Sequence, residues 1–512
     1  MLSRSTRRAT LTAVILWGII GVAALGLELT ATRLGPALHA DSAAYIGGAR
    51  SLAQGRGFSR LSGPTGVKPI TAHAPGFALA LAGLQRLGLE AIAGARILNA
   101  LLFGLNCVMA GVATKRVTSS LWAGILGSLL MLTSPTMIGV HSWALSEPLY
   151  IFLALVGLWL LSVALPSGKT GSLLVSAAAL GLGFLTRYVG GTLVATGGLM
   201  ILVSAGRSWR WRISRLVMFA AASTMPIAIA LLRNWLVAGT LTNRSFVLHP
   251  ITLSLLKRPF GVVWNWLLPL QFGYGALAFT VLGFVAVLVA VAVYLGRRER
   301  RQRAIKMVTR TALSSVLGLY IVIYGAALLV SLAFFDAAIP IDDRTMSPIY
   351  VPLLVLLVGG GWSLFQAPGW ERWRPLGTLL VAAVLISFGF RSAALVKSLA
   401  TEPRGFAALV AQQGGGLPEV EAIPSDTTIY TNNLEALYFI YGRGGFHIPE
   451  PLDPVTFEIR SDYLPSMERV LSNVDAGAVV VMFSASPGEL EPLLTAGLSL
   501  DLDRGGVVVL SR

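Results

Sequence analysis

Apolar residues run along this chain in long blocks rather than in the short alternations of a soluble fold. A run of roughly 20 mostly apolar residues can cross a bilayer as a helix. Such runs fall at 11–31, 94–114, 121–140, 147–165, 171–187, 189–206, 213–233, 272–295, 311–334, 346–365 and 375–394, which predicts about eleven transmembrane helices. The first run, Leu11 to Leu29, exceeds the ~7–15 residues of a signal-peptide core. It reads as a retained helix behind the basic stretch MLSRSTRRAT. Beyond residue 394 the pattern changes. DTTIYT predicts a strand, LEALYFIYG a helix, AGAVVVMF a strand and LSLDLDRGGVVVLS a hairpin. The expected fold is therefore an all-α polytopic membrane domain over 1–394, followed by a small α/β domain over 395–512.

Composition agrees. Of 512 residues, 55% are hydrophobic and 12% charged, with a mean hydropathy of +0.72. Soluble domains carry about 25% charged residues. The formal net charge of +16 is not a nucleic-acid footprint, because the basic residues cluster in short loops between apolar runs. Lys115-Arg116, Lys169, and the basic residues of 206–215, 296–306 and 370–374 all alternate onto one side, as the positive-inside rule requires. The N-terminus is then cytoplasmic. An odd number of crossings places the tail outside, as in a multi-pass protein of a bacterial inner membrane. A first outer loop spans about 32–93. A second, roughly 234–271, holds VVWNWLLPLQFGY, whose aromatics suit a helix lying in the interface. Cys107 is the sole cysteine, so no intrachain disulfide forms.

Against this background the ionisable residues stand out. Near or within a membrane they are costly and functional by default. They gather at the outer helix ends: Asp41 after the first run, Glu147 in HSWALSEPLY, Arg187 in FLTRYVGG, Arg233 and Asn234 in LLRNWLVAGTLTNRS, Asp343 and Arg344 in IDDRTMSPIYVP, and Lys68 and His73 in VKPITAHAPGF. Each has a structural reading as well. Asp41 suits the N-cap of a short amphipathic helix with Tyr45, Ala49, Leu52 and Ala53 on its apolar side. Glu147 suits the first turn of a helix, and Arg187 and Arg233 suit helix C-termini. The histidine spacing matches no metal motif. Asp501 and Asp503 form an Asp-x-Asp pair in a terminal hairpin without a Gly-rich phosphate loop beside it. Taken together, cations that hold a phosphate and carboxylates that accept a proton describe a membrane-edge cavity for a lipid phosphate and a polar acceptor.

The stretches DSAAYIGGARSLAQGRGF, HAPGFALALAGLQRLG, SEPLYIFLALVGLWLL, GLGFLTRYVGG, LLRNWLVAGTLTNRS and DDRTMSPIYVPLLVLL follow one another across about 35–365. In order, spacing and sidedness the chain resembles the GT-C superfamily of polytopic glycosyltransferases. The resemblance is to bacterial homologues of protein O-mannosyltransferases and of the lipid A aminoarabinose transferase. It implies a polyprenyl-phosphate sugar donor in the bilayer, no nucleotide sugar, and direct transfer with inversion to a glycan, lipid or protein hydroxyl on the outer face; the residues themselves predict no cofactor and give a divalent metal no support. The family's loop acid maps to Asp41; many relatives carry two adjacent acids there, whereas this chain has Ser42 next. Glu147 is the second candidate catalytic acid. Lys68, Arg187, Arg233 and Arg344 are the candidate phosphate ligands. Tyr45, His73, Asn234 and Asp343 are candidates for the cavity or acceptor. The rival readings are a transporter or lipid flippase, and a non-catalytic partner in envelope glycan assembly. Polar groups at the outer ends rather than the midplane, and the lack of an inverted repeat, argue against transport.

Overall fold

The computed structural model describes residues 4–244, 246–250, 252–267, 311–335, 339–412, 414, 416–453 and 458–512. The predicted span 272–295 and the basic stretch 296–306 lie outside the described residues. After α1 (Arg4–Ala31) the chain forms a short helix α2 (Ala40–Ala53), an antiparallel hairpin of β1 (Ser59–Ser62) and β2 (Gly66–Pro69), and the helix α3 (Gly76–Arg86). The helical bundle continues with α4 (Ala91–Thr118), α5 (Leu121–Leu132), α6 (Pro135–His141), α7 (Glu147–Ser167), α8 (Thr170–Thr186), α9 (Gly191–Leu202) and α10 (Trp209–Ala238). Then come α11 (Leu253–Leu267), α12 (Ala312–Phe334), α13 (Asp343–Phe365) and α14 (Arg374–Thr401).

Among the described residues seven helices, α1, α4, α7, α10, α12, α13 and α14, are long and apolar enough to span a membrane. The pair α5–α6 makes an eighth if it is one span, bent by 60°. The break lies inside the predicted run 121–140, where Ser134 accepts from the Met137 amide at 3.2 Å and Pro135 opens the new helix. The runs 171–187 and 189–206 are helical as α8 and α9, joined by a 3₁₀ turn at Tyr188–Gly190, but both are shorter than a span. The predicted eleven crossings thus correspond to seven or eight helices of spanning length in the described part.

Glycine lets the first two long helices meet at backbone distance. A Cβ placed on Gly104 of α4 would sit 2.6 Å from the Gly21 carbonyl of α1, the close approach expected where lipid offers no hydrophobic drive to helix pairing. The main core is built from Phe103, Met131, Met137, Ile138, Leu158, Leu180, Phe219 and Val351 together with the tyrosines 150, 320 and 324. A second cluster lies under α2, where Tyr45, Ile46 and Ala49 pack on Phe77, Leu81, Ala95 and Leu145. Leu52 is half-buried at its edge, so the predicted apolar face of α2 is present.

The C-terminal part is a mixed five-stranded sheet in the order β4-β3-β5-β7-β6. Its strands are β3 (Ile429–Thr431), β4 (Phe446–His447), β5 (Val479–Phe483), β6 (Ser499–Arg504) and β7 (Val507–Ser511). Helices α15 (Phe406–Gln412), α16 (Pro418–Glu421), α17 (Leu434–Tyr441), α18 (Tyr463–Asp475) and α19 (Pro487–Thr495) accompany it. VVVMF and VVVLS read as unbroken apolar runs because both central strands are buried. Asp501 and Asp503 are exposed on the edge strand β6, where charge blunts edge-to-edge pairing.

Candidate active site

The start of α2 sets the first acid. His39, not Asp41, is the N-cap. Its Nδ1 accepts from the Asp41 amide at 3.2 Å, and the Ser42 hydroxyl accepts from the His39 amide at 2.9 Å. The capping role read for Asp41 is therefore corrected, and its carboxylate is left to reach across to α13. There it takes a charge-assisted hydrogen bond from Arg344 Nη2. Burial pushes the Asp41 carboxyl up, but Arg344, His73 and His39 outweigh it and hold the group below its ordinary range.

The second acid sits at the start of α7. Two asparagines one heptad apart on α4 hold the segment that delivers it. Asn99 Nδ2 donates to the carbonyls of Trp143 at 2.7 Å and Leu145 at 3.3 Å, and Asn106 Nδ2 donates to that of Pro148 at 3.1 Å. Glu147 is fully buried, and its Oε1 takes Arg344 Nε at 2.7 Å and Arg187 Nη1. It is thus the hub of an ion network rather than only a first-turn acid. Ser146, at the N-cap position, makes no capping bond; its hydroxyl donates to Tyr45 at 3.0 Å and accepts from Arg187 Nη1 at 3.2 Å. Glu147 Oε2 and Arg187 Nε are buried without a hydrogen-bond partner among the described residues.

Arg344 bridges both acids. Asp342 caps its helix, accepting from the Thr345 amide at 2.8 Å, and Tyr324 donates to the Thr345 carbonyl at 2.6 Å. Arg344 Nη1 also approaches His39 Nδ1 at 3.2 Å. The result is two carboxylates and two guanidiniums from α2, the α7 start, the α8 end and the α13 start, meeting at one end of the bundle. Tyr45 and His73 join them: their rings meet edge-on with centroids 5.4 Å apart. Burial lowers the His73 imidazole below its ordinary range, with Asp41 pulling the other way.

The remaining sequence candidates stand apart. Lys68 is exposed on β2 and makes no ion pair among the described residues. Arg233 donates to the carbonyls of Ile70 at 3.0 Å and Phe58 at 2.6 Å, so it braces the outer loop. Asn234 donates to Tyr188 at 3.2 Å and to the Leu241 carbonyl at 2.8 Å, and Tyr188 in turn donates to the Thr71 carbonyl at 2.8 Å. Asp343 accepts from the Trp266 indole at 2.8 Å and is not among the ion pairs of the network. Among the described residues no three or more His, Cys, Asp or Glu side chains are grouped to hold a metal ion. Sequence reasoning gave no role to His39, Ser146, Asn99 and Asn106. The spacing of two asparagines by seven inside an apolar run was the available signal for the last pair.

No family model matches the chain. The lipopolysaccharide core galacturonosyltransferase RgtA of Rhizobium johnstonii is 24% identical over 309 residues, covering 57% of this chain and 56% of that protein. The chain therefore matches little more than half the length of that relative. Among solved structures, ArnT from Cupriavidus metallidurans bound to undecaprenyl phosphate superposes with a TM-score of 0.59 at 14% identity, over 97% of this chain and 98% of that one. The archaeal oligosaccharyltransferase AglB from Archaeoglobus fulgidus, in complex with an inhibitory peptide and a dolichol-phosphate, gives 0.51 at 11% identity, over 92% and 69%. Superposition over nearly the whole chain shows that this protein has the GT-C fold, shared with the membrane proteins ArnT and AglB.

Proposed function

We propose that the chain is an integral-membrane glycosyltransferase that moves a sugar from a polyprenyl-phosphate donor to an acceptor hydroxyl on the outer face, with inversion. The observation that carries this reading is the Asp41–Arg344–Glu147–Arg187 network, assembled from residues up to 303 positions apart at one end of a membrane bundle. Such a site can do two things that the reaction needs. Its guanidiniums can hold a phosphate, and Asp41 can take a proton. The relatives support the donor class: the ArnT structure holds undecaprenyl phosphate and the AglB structure a dolichol-phosphate.

The geometry suggests an order of events. Until the donor binds, the guanidinium of Arg344 neutralises Asp41, which makes Asp41 a weak base. A donor phosphate drawn to Arg344 competes for the guanidinium and frees the carboxylate. Asp41 then removes the acceptor proton as the acceptor oxygen bonds to the anomeric carbon. The bond from that carbon to the phosphate oxygen breaks on the opposite face, and polyprenyl phosphate leaves. Buried Glu147 keeps both arginines in place and does not itself touch the acceptor. Lys68 and Arg233 hold no phosphate in this scheme. The clustering of basic residues in loops supports a reading with the network and the C-terminal domain outside, in the periplasm or at the cell exterior.

The test is to incubate the purified protein with polyprenyl-phosphate sugars labelled in the sugar, together with envelope extract. Label appearing in an acceptor with equimolar release of polyprenyl phosphate is the expected result. Intact donor that only changes leaflet in vesicles would instead establish a flippase.

A further inference from the structure

We propose that the C-terminal domain is a working part of the active site, clamping α2 at both ends so that Asp41 faces Arg344, with Gly405 and Tyr438 as its positioning residues. This inference rests on the transferase reading above. At the front of α2, the residue before its N-cap is held by backbone bonds from the C-terminal segment. The Leu38 amide donates to the Arg404 carbonyl at 3.3 Å, and the Phe406 amide donates to the Leu38 carbonyl at 2.9 Å. Gly405 sits between these bonds in the left-handed region at φ +62°, and a Cβ there would lie 2.0 Å from the Leu38 oxygen. Asp41 follows only three residues later. At the back of α2, Arg50 donates from Nη1 to the Tyr438 hydroxyl at 2.8 Å and from Nε and Nη2 to Glu90 at 3.1 and 2.5 Å. Glu90 also caps α4, taking the Ile92 amide at 2.7 Å. Midway, Gly47 lets the Tyr438 ring lie against the helix, with its Cζ 3.6 Å from where a Cβ would be. The hairpin joins the same seam, since the Gly63 amide donates to the Gly445 carbonyl at 3.4 Å. A rigid helix held at its two ends and its middle has little freedom to swing its first-turn acid. A displacement of about 1 Å at a reacting group can cost on the order of a hundredfold in rate.

The experiment is a double-mutant cycle on the full-length purified protein, with single-turnover transfer and undecaprenyl phosphate binding both measured. Gly405→Ala should slow transfer by about a hundredfold, and Tyr438→Phe, which keeps the ring and removes the hydroxyl, by about tenfold. Both should bind undecaprenyl phosphate within about twofold of the parent, because the guanidiniums are not on the clamp. In an Asp41→Asn background neither change should slow the residual transfer further, since the residue they position is already disabled. Additive losses in that background would overturn the clamp, as would normal turnover by Tyr438→Phe. If Gly405→Ala fails to accumulate, the Tyr438→Phe cycle decides alone. Asp41→Asn at full parental rate would sink the transferase assignment of Asp41 itself, a separate outcome.

Discussion

Two carboxylates of this site look alike in sequence and differ in what surrounds them. Asp41 is partly exposed and answers to one guanidinium; Glu147 is buried and answers to two. Removing one partner of a buried pair leaves an uncompensated charge and costs about 3–5 kcal/mol. Glu147→Gln should therefore lower thermal stability and yield in membranes, while Asp41→Asn, whose side chain caps nothing, should accumulate normally. Equal yields for the two would contradict the hub role of Glu147. The pH dependence follows from the same contacts. Arg344 depresses the Asp41 carboxyl against the upward push of burial, so its base form persists to lower pH than an ordinary Asp near 3.9. The acid limb of kcat/KM, which reports the free protein, should fall below that value. In kcat, which reports the donor-loaded protein with Arg344 on the phosphate, the limb should move upward. A limb in kcat/KM near pH 6 would assign the base to another group.

The elements around the site show why some of it could be read in advance and some could not. The long helices follow from local patterns. So do the C-terminal strands and hairpin, which lie where DTTIYT, AGAVVVMF and LSLDLDRGGVVVLS placed them. The break in 121–140 was signalled by Ser134-Pro135 but hidden by the apolar residues on both sides. The pairing of Arg344 with Asp41 was not legible, because nothing local distinguishes it from Arg233. Both are arginines at helix ends, yet one meets carboxylates and the other meets the carbonyls of Phe58 and Ile70. That difference is measurable. Arg344→Gln should weaken undecaprenyl phosphate binding by at least about tenfold, on the scale of a lost charge-assisted bond. Arg233→Gln should leave binding near normal and increase protease cleavage in the 58–73 loop. The opposite assignment of the two effects would return Arg233 to the phosphate.

At the scale of the whole molecule, the account needs the network, the loop and the C-terminal domain on one face and the basic loops on the other. Reporter fusions at Gly206 and after Arg512 should report the cytoplasm and the exterior respectively. A cytoplasmic C-terminus would turn the site away from any outer acceptor. The central claim, however, is chemical: a bundle of spans folds so that one loop acid, poised by an arginine, activates an acceptor for sugar transfer. Its most direct test is single-turnover transfer from a labelled polyprenyl-phosphate sugar by purified Asp41→Asn protein, with donor binding measured in parallel. General-base loss typically costs about 10²–10⁴-fold. The account predicts normal membrane accumulation, retained donor binding and transfer at least about a hundredfold slower. Turnover by Asp41→Asn close to that of the parent chain would contradict it.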